Sequence, residues 1–332
     1  MKKVIWLLLA ALPLSAVWGE QTKVGAAGAQ FLKIGVGSRY QAMGDAASAT
    51  ANDVYAMYWN PAGLVGVENS AVSFTNVNYL LDINLNHFAY AKNFDGVGVF
   101  GASATMLSMG EQHIYTFDNQ EGTGQHYTAS SLAVGLSYAR QLTSSFAFGG
   151  TVRYIGERIH LEKSEGFAVD FGTMLWTGFR SLRLGLAITN MGPHLQFSGP
   201  DLVVPYDERN GSGPNNSIGA SVKVNPYNLP MMFRMGLAYD VDLGPKSTVT
   251  LAADLRNPND NVQQGSVGAE YSFNRQFFVR GGYKINYEEE KLALGAGMNV
   301  SVTKQTKLSV DYAWQDFGRL NSTQRFSVGF VF

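Results

Sequence analysis

From residue 70 to the final Phe332 the chain returns repeatedly to one pattern, an apolar side chain at every second position. Between Thr306 and Gln315, Leu308, Val310, Tyr312 and Trp314 alternate with Ser309, Asp311 and Ala313. The last segment puts Phe326, Val328, Phe330 and Phe332 on one side and Arg325, Ser327, Gly329 and Val331 on the other. Leu182 to Ile188, Met231 to Val241 and Val249 to Leu255 repeat the alternation. A period of two belongs to a β-strand, whose successive side chains point to opposite faces.

The other face decides which kind of β-protein this is. A soluble sandwich would carry many Lys, Glu and Thr there, whereas here glycine sits beside isolated charges. The chain has 37 Gly, 12% aromatic residues and only 15% charged residues, below the roughly 25% of ordinary soluble domains. That combination suits a barrel with hydrocarbon outside and a crowded polar lumen. The expected fold is all-β, an antiparallel outer-membrane barrel of about 14 strands over residues 70–332. Its strands fall near 70–81, 84–94, 96–108, 127–141, 145–160, 164–177, 180–191, 228–241, 246–257, 264–273, 276–286, 290–301, 304–315 and 321–332.

The connections agree with a meander. Short turns at Asn93 to Gly96, Gln141 to Ser145, Thr177 to Arg180, Ser272 to Arg275 and Val302 to Gln305 alternate with longer loops such as Met109 to His126 and Met191 to Asn228. Tight turns belong on the periplasmic side and long loops outside, which places both termini in the periplasm. Tyr79, Phe94, Trp176, Phe179, Phe273, Phe277, Tyr287 and Trp314 lie near strand ends, as an interfacial aromatic girdle requires. The terminal Phe326, Val328, Phe330 and Phe332 resemble the signal read by the barrel assembly machinery. Ahead of all this, Lys2 and Lys3 precede an apolar run from Val4 to Leu14 and a small-residue end at Gly19. Residues 1–19 read as a secretory signal peptide cleaved after Gly19, with no Cys following to carry a lipid anchor.

Residues 20–69 lack the alternation. Ala42 to Ala51 is a small-residue stretch, and Asn60 before Pro61 can close an Asx turn that starts a helical turn through Ala62, Gly63 and Leu64. A plug or hatch inside or beneath the lumen is the simplest use for such a segment, with Tyr55, Tyr58 and Trp59 as its anchors against the wall. The run GVGSRYQAMGDAASATANDVYAMYWNPAGL, residues 35–64, resembles the N-terminal signature of the PorV/PorQ family of outer-membrane proteins, related in fold to FadL-type transporters. The resemblance implies a FadL-like barrel with an N-terminal hatch. In the PorV branch it implies a role in type IX secretion, docking or shuttling cargo with a C-terminal sorting domain toward a surface sortase. In the FadL branch it implies a channel for hydrophobic small molecules.

The remaining chemistry is sparse. The net charge of -1 gives no electrostatic footprint for nucleic acid, and the only partners expected are outer-membrane lipid, the assembly machinery, cargo and sortase. No cofactor or metal is expected: there is no Cys, and His87, His113, His126, His160 and His194 form no HxxxH or HExxH pattern and read as surface-loop residues. Nor is an enzyme expected; the one cluster worth testing is His126 with Ser130 and Asp118. By parity, Asp170, Arg183, Arg234, Asp240, Asp254, Arg256, Glu270, Arg280, Lys284, Asp311 and Arg325 point inward, where they should pair with one another and with the hatch. The loop from Met191 to Asn228 carries Leu195, Phe197, Leu202, Val203, Val204 and Tyr206, enough apolar surface to cover the mouth or dock a partner.

Overall fold

A strand with one apolar face needs hydrocarbon on that face and hydrogen-bond partners along both edges, and closure into a cylinder meets both needs. The computed structural model describes residues 24–206, 218–303 and 305–332 and shows that solution. The signal peptide expected over 1–19 and part of the loop after Met191 lie outside the described residues. Fourteen antiparallel strands form one closed barrel. They are β1 (Ser70–Asn78), β2 (Asn84–Phe94), β3 (Gly98–Ser108), β4 (Ala129–Thr143), β5 (Phe146–Ile159), β6 (Glu162–Trp176), β7 (Arg183–Met191), β8 (Met232–Gly244), β9 (Ser247–Pro258), β10 (Gln264–Phe273), β11 (Phe277–Ile285), β12 (Leu292–Ser301), β13 (Lys307–Asp316) and β14 (Ser322–Val331). Every neighbour in the barrel is also the neighbour in sequence, and β14 closes onto β1 from Ala71 opposite Val331 to Asn78 opposite Gln324. Beyond that ladder, Ser70 and Phe332 exchange both backbone hydrogen bonds, each 2.9 Å.

Side-chain exposure follows the alternation around the wall. In β4, Leu132, Val134, Leu136 and Tyr138 are exposed on the outside while Ala133, Ser137 and Ala139 are buried inside. Phe148, Phe167, Leu186, Leu251, Val279 and Leu294 continue the exposed apolar band on other strands. An uncovered apolar belt of this extent is a lipid-facing surface. Phe94, Phe179, Phe273 and Phe277 lie exposed at the tight-turn rim, as a girdle requires. Three other rings expected in the girdle turn inward: Tyr79 and Tyr287 line a cavity at the long-loop mouth, and Trp176 packs beside Ala62 and Met174.

Residues 24–69 run inside the cylinder. They contain 3-10 turns at Gln30–Lys33 and Pro61–Gly66 and two short α-helices, α1 (Ser38–Ala42) and α2 (Ala56–Trp59). The start of β1 and the end of β14 share the tight-turn rim, but the described chain begins on the opposite one. There Ala27 bridges to Asn228, Ala29 N–H donates to Glu157 and Gln30 reaches Asp260. From Val24, which lines the cavity at the long-loop rim, the segment descends through the lumen to the start of β1.

Candidate functional site

No helix of this segment is long enough to be stable alone; the wall supplies what each lacks. Asn60 does so most completely. Its side-chain oxygen accepts from Ala62 N–H at 3.2 Å, closing the Asx turn, and its amide nitrogen donates to Ser48 O (2.7 Å) and to Thr173 O of β6 (3.0 Å). Pro61 occupies the first helical position, where no N–H is needed. Ala62, Gly63 and Leu64 are buried behind it. The wall leaves room by using glycine: a Cβ on Gly172 would lie 2.0 Å from Asn60 Oδ1, and one on Gly185 would lie 1.9 Å from Ser48 O.

The aromatic residues each attach a ring and a polar tip. Tyr55 hydroxyl lies 2.8 Å from Thr75 Oγ1 on β1, Tyr58 hydroxyl donates to Leu32 O at 3.0 Å, and Trp59 Nε1 donates to Val36 O at 2.9 Å. Arg234 of β8 holds its guanidinium 4.9 Å from the Trp59 ring and 5.2 Å from Tyr58, close enough for cation–π attraction. Only Tyr55 of the three hydrogen-bonds the wall; Tyr58 and Trp59 tie the segment to itself and meet the wall through this cation.

Most of the inward charges pair with an opposite charge or with the enclosed segment; Arg325 instead donates to Gln315 and Thr323, and Arg234 lies over the Tyr58 and Trp59 rings. Glu270 accepts from Arg39 Nε and Nη2, each 2.9 Å, and from Arg280 Nε at 2.5 Å, while Arg280 Nη1 continues to Asp311 at 2.5 Å. Asp254 accepts from the backbone N–H groups of Ala47 (3.1 Å) and Ser48 (2.8 Å). Lys284 Nζ sits 2.6 Å from Asp45 and 2.5 Å from Glu290. Arg183 pairs with Asp240 at 2.9 Å, and Asp170 takes Arg153 at 2.7 Å. Arg153, Arg39 and Glu290 are not among the residues the sequence singles out; Arg153 is accessible through its parity with Thr151, the other two only through three-dimensional contact. Ser38 N–H and hydroxyl both meet Ser327 Oγ on β14, at 2.9 and 2.8 Å. The segment is therefore hydrogen-bonded or ion-paired to wall strands around the circumference.

At the long-loop mouth the described ends of the Met191 to Asn228 connection turn side chains inward. Leu195 is buried with Phe31 and Leu229, and Tyr227 hydroxyl donates to Glu157 at 2.8 Å. Val203 and Val204 stay exposed. Beneath lies a cavity of about 660 Å³, with an apolar side including Phe31, Ile34, Ile83 and Leu107 and a floor of Gln41, Asp45, Arg256, Lys284, Glu290 and Arg325. Burial would push the Glu290 carboxyl up, but the Lys284 ammonium beside it, with Arg256 and Arg325, holds it down at about 2.

The structure does not assemble His126, Ser130 and Asp118. The His126 ring lies tilted against His113, centroids 4.3 Å apart, across a short ladder in the long loop, and Ser130 faces Arg158 in register on β5. His87 departs from the surface-loop expectation: it is buried on β2 with Nδ1 2.8 Å from Thr105 Oγ1. Phe326 and Phe330 point outward on β14, and Phe332 is exposed at the rim.

This architecture defines the class as a FadL-like outer-membrane barrel. It is similar to the crystal structures of the Pseudomonas putida toluene transporter TodX (TM-score 0.60, 13% identity, 89% of this chain and 97% of that one) and the Ralstonia pickettii toluene transporter TbuX (TM-score 0.55, 14% identity, 89% and 97%). A Pseudomonas aeruginosa FadL homologue is similar too, at TM-score 0.55 and 11% identity, covering 89% of this chain and 97% of that one. No curated protein sequence matches the chain. Residues 18–226, more than half of it, match the family described as type IX secretion system protein PorV, and the chain belongs to that family.

Proposed function

We propose that this protein is a docking and shuttle barrel of type IX secretion, receiving cargo with a C-terminal sorting domain at its long-loop face and handing it to a surface sortase. The observation that carries this reading is the occupied lumen. Residues of the hatch, expected over 20–69, are tied to β1, β6, β9, β10, β11 and β14 by the contacts of Tyr55, Asn60, Ser48, Arg39, Asp45 and Ser38. A barrel of 70–332 closed in this way offers its rim and loops to a partner rather than a conduit. In this reading Asn60 to Leu64 is the lock of the hatch, and Tyr55, Tyr58 and Trp59 are its anchors. Phe326, Val328, Phe330 and Phe332 are what the assembly machinery reads, and the long loops face outside. No step of this role calls for a catalytic group.

The toluene transporters among its structural neighbours support a second reading, passage of a hydrophobic molecule after the hatch shifts. Breaking partly buried ion pairs such as Arg39–Glu270 opposes that shift. Cross-linking and affinity capture of the tagged protein from its own outer membrane distinguishes the two. Recovery of sorting-domain proteins and a sortase is the expected result. Their absence, together with hydrophobic-solute uptake that Asn60→Ala increases, overturns docking.

A further inference from the structure

On the outside of the wall, three rows of outward side chains cross β4, β5 and β6 in register near the long-loop rim. Val134, Tyr154 and Phe167 form the row within the apolar band, Leu132, Gly156 and Glu165 the next, and Ser130, Arg158 and Lys163 the outermost. Arg158 and Lys163 thus stand directly opposite each other, and like charges in that position destabilise a strand pair unless an anion joins them. The neighbouring acids do little to relieve it. Glu165 lies 3.6 Å from Lys163, both side chains more than half exposed, and Arg158 Nε donates to His160 O at 3.0 Å. His160 itself faces Asp201 at 3.8 Å, Glu162 accepts from Asp201 N–H, and Glu157 accepts from Ala29 and Tyr227. On the described barrel strands no other Lys or Arg points outward in the long-loop half; Asn78, Asn257, Ile285, Leu292 and Gln324 take the corresponding places.

Next to these cations the wall is indented. Gly156 has no side chain, and Leu132, Tyr154 and Leu161 border a groove of about 440 Å³ that runs up to Arg158 and Lys163. The Tyr154 ring packs edge-on against Phe167, centroids 5.6 Å apart, and its hydroxyl lies 3.3 Å from where a Cβ on Gly156 would stand. A ring with its body on the apolar band and its polar tip toward the rim marks the boundary between hydrocarbon and headgroups. The groove continues the exposed apolar band, which suits an acyl chain, and the cation pair at its end suits a phosphate. We propose that this groove binds a lipid of the leaflet on the long-loop side through its phosphate, shared by Arg158 and Lys163, with an acyl chain lying over Gly156 between Leu132 and Tyr154. With the long loops outside, as proposed above, that leaflet is the outer one; the site does not depend on the docking role. A free phosphate ion would share the cations and leave the groove unused.

The test uses the full mature barrel, delipidated in a non-ionic detergent and titrated in native mass spectrometry with dimyristoyl phosphatidic acid and with dimyristoylglycerol, which lacks the phosphate. Inorganic phosphate serves as competitor. Phosphatidic acid should bind saturably and about tenfold or more tighter than dimyristoylglycerol, as charge-assisted hydrogen bonds imply. Arg158→Gln and Lys163→Gln should each weaken it about fivefold. Lys92→Gln and Arg140→Gln, which remove exposed cations at the opposite rim, should leave it unchanged. Gly156→Val, which fills the groove and keeps both cations, should weaken it too. Lys163→Gln decides if Arg158→Gln fails to give the compact unheated band of a folded barrel on a detergent gel. Equal binding of the two lipids, an equal loss in the opposite-rim variants, or full affinity in folded Lys163→Gln overturns the proposal. Displacement of the lipid by inorganic phosphate, with undiminished binding in Gly156→Val, assigns the cations to the free ion and overturns it as well. Cargo capture by the wild-type protein, scored separately, shows whether docking stands whatever the groove binds.

Discussion

In strand β4 the side chains sort by chemistry, Leu132, Val134 and Leu136 outward, Ser137 and Ala139 inward. From Val36 to Leu64 nearly everything is buried whatever its chemistry, Ser38, Gln41, Ser48 and Asn60 as completely as Val36 and Trp59. The difference lies in what each region needs from its surroundings. A wall strand satisfies its backbone on two neighbours and asks only for hydrocarbon on one face. The enclosed segment has no continuous ladder, so each polar group needs a specific partner, and those partners belong to strands far away in sequence. The wall should therefore tolerate conservative change on its outer face, while the contact between segment and wall should not.

The comparison breaks most sharply at Glu270, the carboxylate shared by Arg39 of the segment and Arg280 of the wall. Glu270→Gln leaves Arg39 without its counter-charge and Arg280 with Asp311 alone, and should lower stability by about 3–5 kcal/mol, read as a lower midpoint in denaturant. Next is Gly185→Ala on β7. Its methyl would meet Ser48 O at 1.9 Å, and a backbone atom cannot step aside cheaply; a loss of about 2–3 kcal/mol is expected in the same assay.

These two positions also show what could be read beforehand. Periodicity identified the strands because alternation is a local consequence of backbone geometry, and it put Glu270 and Arg280 in the lumen. It could not give Arg39 as the third member, nor Ser48 as the reason for Gly185, because those contacts depend on how an aperiodic segment crosses the cylinder. The Asn60-Pro61 turn was legible since an Asx turn spans only neighbouring residues, whereas the bond from Asn60 to Thr173 spans 113 positions. Tyr79 and Tyr287 misled as girdle rings because ends of strands at the mouth border both lipid and cavity.

Asn60→Ala sharpens the comparison further. It removes the turn bond and leaves Ser48 O and Thr173 O without that donor, for an expected loss of about 1–3 kcal/mol. Asn60→Asp should restore the turn and not the bond to Thr173, so it should recover only part of the stability. The smallest effect is expected from pH. Glu290 has a folded pKa of about 2, below its ordinary value of 4.5, so its contribution is present above about pH 4.5 and is lost as pH falls toward 2. Denaturation midpoints across that window should fall less in Glu290→Gln than in the wild type.

The central claim is that the irregular N-terminal segment is seated against the barrel wall, and the absence of native cysteine allows a direct test. Ser38 and Ser327 bring their hydroxyl oxygens to 2.8 Å. In the doubly substituted Ser38→Cys, Ser327→Cys protein, isolated folded in detergent and mildly oxidised, mass spectrometry should find the two new thiols joined in one disulfide-linked peptide pair. Two thiols that both remain open to maleimide in the folded barrel would contradict the account.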